Sequence, residues 1–288
     1  SWGLSATPYR QKGDEFWMYG VCGWNKKVIT EQDLVKKGII QKPNYCVLTI
    51  DHPLYEGKKN ANAITHKGER VVVYDTPNGK PERDEIYHKG ITANKHRNQI
   101  IIDLFQYYLD HLERQGTGLV LFNYYEQGTN LFQLLRQNTG YSIRQNTGYS
   151  IRQNTGYSTD QDSFNIYYAD GRTSDKDRLH IVEGLRSGTV DGAIASKILN
   201  EGEDIPNLEL VILAGGGASN RSLTQQVGRV IRNKVNAIVI DFFDDEDWYL
   251  KNNSKKRQSH IQNIYPGSVK SADSVSDAKK FLDQQLRH

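Results

Sequence analysis

In Ser222-Leu-Thr-Gln225-Gln-Val-Gly228-Arg229-Val-Ile-Arg232, one amide and two guanidiniums recur at spacings that a helix would gather. At about 100° per residue, Gln225, Arg229 and Arg232 fall within roughly 60° of one another. Leu223, Val227, Val230 and Ile231 cluster on the opposite side, so such a helix buries one face and turns the polar one outward. An amide with two guanidiniums on one face suits the grip of an anion. Gly228 costs a helix about 1 kcal/mol relative to alanine, which implies close approach of something to the backbone there.

Other stretches carry groups of the same kind. Ala195-Ser196-Lys197-Ile198-Leu199-Asn200-Glu201-Gly202-Glu203-Asp204-Ile205-Pro206 brings together a hydroxyl, a cation, a glycine and a carboxylate. Ser196 has a hydroxyl that can donate to a phosphate, and Gly202 lets the main chain come close to a ligand. Asp170-Gly171-Arg172-Thr173-Ser174 reads as the start of a helix, with Thr173 or Ser174 as cap and Asp177 completing a capping-box variant. Amides exposed at that start would suit a phosphate. Leu119-Val-Leu-Phe122-Asn123 reads as a buried strand with a polar exit. Gly215-Gly216-Gly217 is followed by no Lys-Ser/Thr pair, so it is a turn ahead of the arginine helix and not a phosphate cradle. The eight histidines and the two cysteines, Cys22 and Cys46, show no metal-ligand spacing, and no metal site is assigned within the chain.

The elements that must position these groups alternate. Apolar runs at Tyr45–Ile50, Leu119–Phe122, Phe164–Ala169, Ala193–Ala195, Leu208–Ala214 and Ala237–Phe242 are separated by helical patterns, including an amphipathic helix from about Asn94 to Arg114. Continuous apolar strands between helices indicate a parallel sheet covered on both faces. Right-handed crossovers then place the loops after the strands on one edge, where sites form. A hairpin is expected at about 66–90, with its turn at Pro77-Asn78-Gly79-Lys80. Arg-Gln-Asn-Thr-Gly-Tyr-Ser begins at Arg136, Arg144 and Arg152, and this eight-residue repeat reads as a duplicated surface loop over about 136–158. The run Lys255-Lys256-Arg257 reads as a solvated charge run.

With 288 residues, 37% hydrophobic and 25% charged, the chain is long enough for one or two packed domains. No apolar run approaches the roughly 20 residues of a membrane span, and two cysteines provide no disulfide framework. A net charge of +3 permits a polyanionic partner without demanding one.

Taken together, these stretches resemble the motifs of superfamily 2 helicases and translocases, in the family's order. Gln225-x-x-Gly228-Arg229-x-x-Arg232 resembles motif VI, and Ala195–Pro206 resembles motif V with Ser196 where threonine is commoner. Leu119–Gly128 resembles motif IV, and Gly3-Leu-Ser5-Ala-Thr7-Pro8 resembles motif III. Residues 28–43 are similar to the helix that leads into the second domain of the phage UvsW-like and repair-translocase branch, and the motifs as a set are shared with restriction motors. The resemblance implies a RecA-like α/β domain with a small β-hairpin insertion, and it implies use of ATP and Mg2+. By the same resemblance Arg232 is the arginine finger, Arg229 its phosphate-binding partner and Gln225 a positioner. Gly202 and Asp204 then meet ATP, with Asp204 accepting from a ribose hydroxyl, while Ser196, Lys197, Asn123 and Arg172 meet nucleic acid. Ser5 and Thr7 couple the two sites.

This reading divides the chain into the trailing edge of a first RecA-like domain (1–10), a linker and lead-in helix (11–44), a second RecA-like domain (45–250) and a C-terminal helical tail (251–288). The phosphate loop and the rest of the first domain are expected on another segment, of a longer protein or a split motor. The chain alone is then inactive, and DNA, with RNA as a second candidate, is its partner in the cytoplasm of a bacterial or phage-infected cell, in repair or recombination. Two alternatives stand beside it: a RecA-like module that binds nucleic acid or a partner without catalysis, and a restriction-enzyme motor subunit.

Overall fold

The computed structural model describes residues 29, 31–50, 60–64, 70–73, 83–111, 116–138, 142–145, 164–196, 205–218, 223, 224, 226–228, 237–245 and 247–286. Its main sheet has eight strands: β1 (Asn44–Ile50), β4 (Thr117–Leu121), β5 (Ser142–Gln145), β6 (Asn165–Ala169), β7 (Gly192–Ala195), β8 (Leu208–Leu213), β9 (Ile238–Asp244) and β10 (Val269–Ala272). Their order is β10-β1-β9-β8-β4-β7-β6-β5, and every pairing in it is parallel. The strand exits therefore share one edge, as the alternation of apolar runs and helices predicts.

The inner strands are mainly apolar because both faces of the sheet are covered. All five residues of β4 are buried. Along β1, Cys46, Leu48 and Ile50 join one core with Ile101 and Phe105 of α3 (Lys95–Asp110), whereas Tyr45 and Val47 turn to the other face. That second core includes Ile181 and Leu185 of α5 (Asp175–Ser187) and Ile261 of α6 (Trp248–Ile264). The first core also takes Leu131 and Leu135 of α4 (Tyr125–Asn138) and Phe281 and Leu282 of α7 (Val275–Leu286). Helix α3 starts where Asn94 caps it, its side chain accepting from the Arg97 amide at 2.9 Å. In α4, a Cβ on Gly128 would overlap the Phe122 ring, so glycine is what lets the helix lie against the end of β4.

Four expectations change. The expected hairpin at about 66–90 shares β3 (Arg70–Val73) with the antiparallel pair, but the partner strand is β2 (Asn60–Ile64) upstream of it, and the expected turn at 77–80 lies outside the described residues. Arg83–Tyr87 is the short helix α2, with Asp84 and Glu85 in its first turn, and His88–Thr92 continues it as a π-helical turn. Residues 251–288 are no tail, because β10 pairs with β1 and α7 packs on the first core. Of the four residues of β10 only Ala272 is buried, so its apolar pattern was too short to read as a strand. Part of the repeat is a strand too, since β5 extends the sheet beside β6. Finally, the run at 255–257 splits: Lys255 and Lys256 are exposed, while Arg257 is buried on the face of α6 shared with Leu250 and Ile261. The lead-in helix is α1 (Glu31–Lys36), which half-buries Val35 against the second core and buries no residue fully.

Among the described residues, each face of the sheet holds a buried arginine–aspartate pair. Arg97 Nε donates to Asp244 Oδ1 at 2.8 Å, and its Nη1 to the Ala214 carbonyl at 2.5 Å. On the other face Arg257 Nε donates to Asp241 Oδ2 at 2.9 Å and its Nη1 to the Gly216 carbonyl at 2.9 Å. Tyr45 donates to the same Asp241 oxygen at 2.8 Å. Burial opposes the charge on Arg257, but Asp241 outweighs it and the guanidinium is held even more firmly protonated than usual. Removing one partner of such a pair strands the other charge in the interior. Arg257→Ala is expected to lower unfolding free energy by about 3–5 kcal/mol in urea denaturation, whereas a solvated arginine would cost under about 1.

Candidate nucleic-acid interface

Three neighbouring strands, β4, β7 and β6, end in a row on the exit edge. Main-chain bonds tie the ends together, from the Phe122 amide to the Ala195 carbonyl at 3.0 Å and from the Ser196 amide to the Ala169 carbonyl at 2.9 Å. Asn123, Ser196 and Asp170 therefore follow one another across the edge at roughly the 4.8 Å spacing of strands. Arg172 lies two residues beyond Asp170.

Asp170 organises the third of these loops. It is 5% exposed and accepts from the Arg172 amide at 2.8 Å, from Arg172 Nη2 at 2.7 Å and from the Tyr168 hydroxyl at 3.1 Å. Its own amide donates to Thr173 Oγ1 at 2.9 Å. Burial alone would raise the Asp170 carboxyl, but the bonds from Arg172 outweigh it and its pKa lies below the ordinary value. Ser174, not Thr173, caps α5: its side chain accepts from the Asp177 amide and donates to the Asp177 carboxylate.

The Arg172 guanidinium lies over the Tyr125 ring, with Cζ 3.8 Å from the centroid. Tyr125 opens α4 and Tyr124 precedes it at the β4 end, and the two rings are 50% and 54% exposed. Tyr124 leans on Tyr87, with centroids 5.1 Å apart and planes at 54°. The Tyr87 hydroxyl accepts from Asn123 Nδ2 and from the Gly216 amide, each at 3.2 Å. A Cβ on Gly215 would overlap the Asn123 amide, so the glycine turn after β8 packs directly against the exit of β4.

Beyond that turn, residues 223, 224 and 226–228 are helical. Leu223 and Val227 are buried in the second core, as the spacing predicts. Thr224 Oγ1 lies 2.7 Å from His260 Nε2, which links this helix to α6, and burial lowers the His260 pKa. A groove of about 290 Å3 runs past His260, lined by Lys255, Lys256, Ser259 and Asn263.

The structure thus brings Asn123, Ser196 and Arg172 to one edge. Lys197, Gly202, Asp204, Gln225, Arg229, Arg232, Ser5 and Thr7 lie outside the described residues. Sequence reasoning missed Asp170, whose signal is a short acceptor two residues before an arginine at a strand end. It also passed over Tyr87, which has no local signal because its partners come from β4 and β8. Among the described residues no group of three or more His, Cys, Asp or Glu could hold a metal ion. No helix among them is long and apolar enough to cross a membrane.

Residues 96–234 match the family described as the helicase conserved C-terminal domain. Over those residues, just under half of the chain, the resemblance is to a helicase C-terminal domain. The chain is 25% identical over 276 residues to the protein named "Putative helicase 22" of Sulfolobus islandicus filamentous virus (isolate Iceland/Hveragerdi). That alignment covers 93% of this chain and 42% of the viral protein, so the chain spans about two fifths of its relative's length. Among solved structures, T4 UvsW superposes with a TM-score of 0.52 at 17% identity, over 82% of this chain and 42% of that one. S. cerevisiae Dbp5 L327V, bound to RNA and ADP BeF3, gives a TM-score of 0.54 at 14% identity, over 98% of this chain and 54% of that one. At such identities the two structures attest the fold alone.

The depressed carboxyl of Asp170 sets a pH signature. A carboxyl with a lowered folded-state pKa stabilises the fold above its unfolded value, and that contribution fades as pH falls through the folded value. The gap in melting temperature between the wild type and Asp170→Asn is expected to be constant above the ordinary carboxylate pKa of 3.8 and to close below it. Thermal melts across a pH series check this.

Proposed function

We propose that the chain is the second motor domain of an ATP-dependent superfamily 2 DNA helicase or translocase, which grips one strand by its phosphates. The observation that carries this is the row of Asn123, Ser196 and Arg172 on the exit edge, where a parallel sheet places its ligand loops. Each residue comes from a different strand end, so a strand crossing the row meets three rigidly based groups in succession, Asn123 and Ser196 being the ones with polar groups for its backbone.

ATP with Mg2+ would supply the phosphoanhydride whose cleavage drives the cycle. For that partner the described residues give one test of fit. Leu223 and Val227 are buried, and a helix continued at 100° per residue would put Gln225, Arg229 and Arg232 about 140–200° around from Val227. A Cβ on Gly228 would meet nothing within 4 Å, which leaves room for approach at that point. In this reading Arg232 acts as the finger, Arg229 binds phosphate beside it and Gln225 positions. Gly202 and Asp204 contact the nucleotide, Ser196 and Lys197 the nucleic-acid backbone, and Ser5 and Thr7 couple the two sites. The rest of the nucleotide site belongs to a first RecA-like domain, so the chain by itself hydrolyses no ATP. A guanidinium delivered to the transferred phosphoryl group is worth about 10³–10⁵ in rate, so Arg232→Ala in a motor completed by its first domain should lose turnover on that scale and keep ATP binding.

Phosphate grip also predicts steep salt dependence. If two or three phosphates are neutralised, a fourfold rise in salt should weaken single-strand binding on the order of tenfold, with little sequence preference. Anisotropy titrations with labelled DNA and RNA strands measure both the slope and the choice of sugar. Affinity that does not change with salt would remove the reading.

A further inference from the structure

The exit edge carries more aromatic surface than a grip on phosphates requires. Tyr124 and Tyr125 are each about half exposed, and they sit at the end of β4 beside the row of backbone contacts. Their neighbours hold them from below. Tyr124 rests on Tyr87, itself bonded to Asn123 and to the Gly216 amide. Tyr125 has the Arg172 guanidinium flat enough against it to bring Cζ within 3.8 Å of the ring centre.

Arg172 is poorly placed for a fork on phosphate. Its Nε and Nη2 already donate to Asp170, at 3.3 and 2.7 Å, and the carboxylate offsets much of its charge. What it still offers is a planar face, with 57% of the side chain exposed. A guanidinium stacked on a phenol and locked by a buried carboxylate makes a rigid, extended π surface that loses little entropy when another plane settles on it. Flat, rigid and weakly charged, that surface matches the face of an unpaired nucleobase.

We propose that Tyr124, Tyr125 and Arg172 form a stacking platform for unpaired bases of a single strand, next to the phosphate contacts. This rests on the nucleic-acid reading above and adds the substrate class: a strand whose bases are free, since bases in an intact duplex have no open face to lend. It also gives Arg172 a stacking role in place of a phosphate clamp.

The test compares a labelled oligothymidylate with an abasic strand of equal length and charge, binding the whole chain at fixed salt. Stacking is worth about five- to a hundredfold in affinity per base, so the base-bearing strand should bind tighter by at least the lower figure. Tyr124→Leu and Tyr125→Leu should each lose part or all of that advantage without weakening the abasic strand or changing the salt slope. Tyr125→Phe should retain it, because the ring and not the hydroxyl is used. Equal affinity of the wild type for the two strands overturns the proposal and leaves the phosphate grip standing. A loss shared equally by both strands in the leucine variants overturns it too. Salt-independent binding, or no binding of either strand, removes the nucleic-acid reading and the platform with it.

Discussion

Arg97 and Arg257 reach the loop after β8 from opposite faces of the sheet, and the arrangement of the exit edge depends on them. Arg97 bonds the Ala214 carbonyl, and Arg257 bonds the carbonyls of Gly216 and Gly217. Both are anchored in β9, through Asp244 and Asp241. Burying a guanidinium costs several kcal/mol unless its charge is paired and its N–H groups have acceptors. Here the acceptors include the main-chain carbonyls of Ala214, Gly216 and Gly217, in the turn after β8. The two ion pairs therefore set the path of the chain where it leaves the sheet for the helix containing Leu223 and Val227.

The same turn is braced sideways. The Gly216 amide donates to Tyr87, which also takes the amide of Asn123, so the exits of β8 and β4 are joined through one phenol. The exits of β4, β7 and β6 are joined by main-chain bonds. Contacts on this edge are thus carried by short segments fastened to rigid strands, which limits the entropy lost when a polymer lies across them.

Asp170 shows how one carboxylate can change what a cation is for. A free Arg172 would be a point of attraction for phosphate. Tied to Asp170 by two nitrogens and laid on Tyr125, it becomes mainly a surface. Arginine is suited to this because its charge is spread over a plane; a lysine in its place would keep the charge and lose the face.

Much of the architecture was legible in the sequence because burial on both faces makes parallel strands read as unbroken apolar runs. β1, β4, β6, β8 and β9 all fall where such runs lie, and α3 begins at Asn94 as its pattern requires. The buried side of the helix at Leu223 and Val227 follows from 3.6-residue periodicity alone. Edge strands and charge runs were not legible, for the same reason in each case: the deciding neighbour is distant in sequence. Arg257 is internal because Asp241, sixteen residues earlier, waits on β9. β10 is a strand because β1, more than two hundred residues away, offers it a free edge. The repeat makes the point most directly. Arg136-Gln137 ends a helix and Arg144-Gln145 lies in a strand, although the two dipeptides sit in copies of one seven-residue sequence. Local preference cannot distinguish them; only the packed α4 before the first and the open edge of β6 beside the second can.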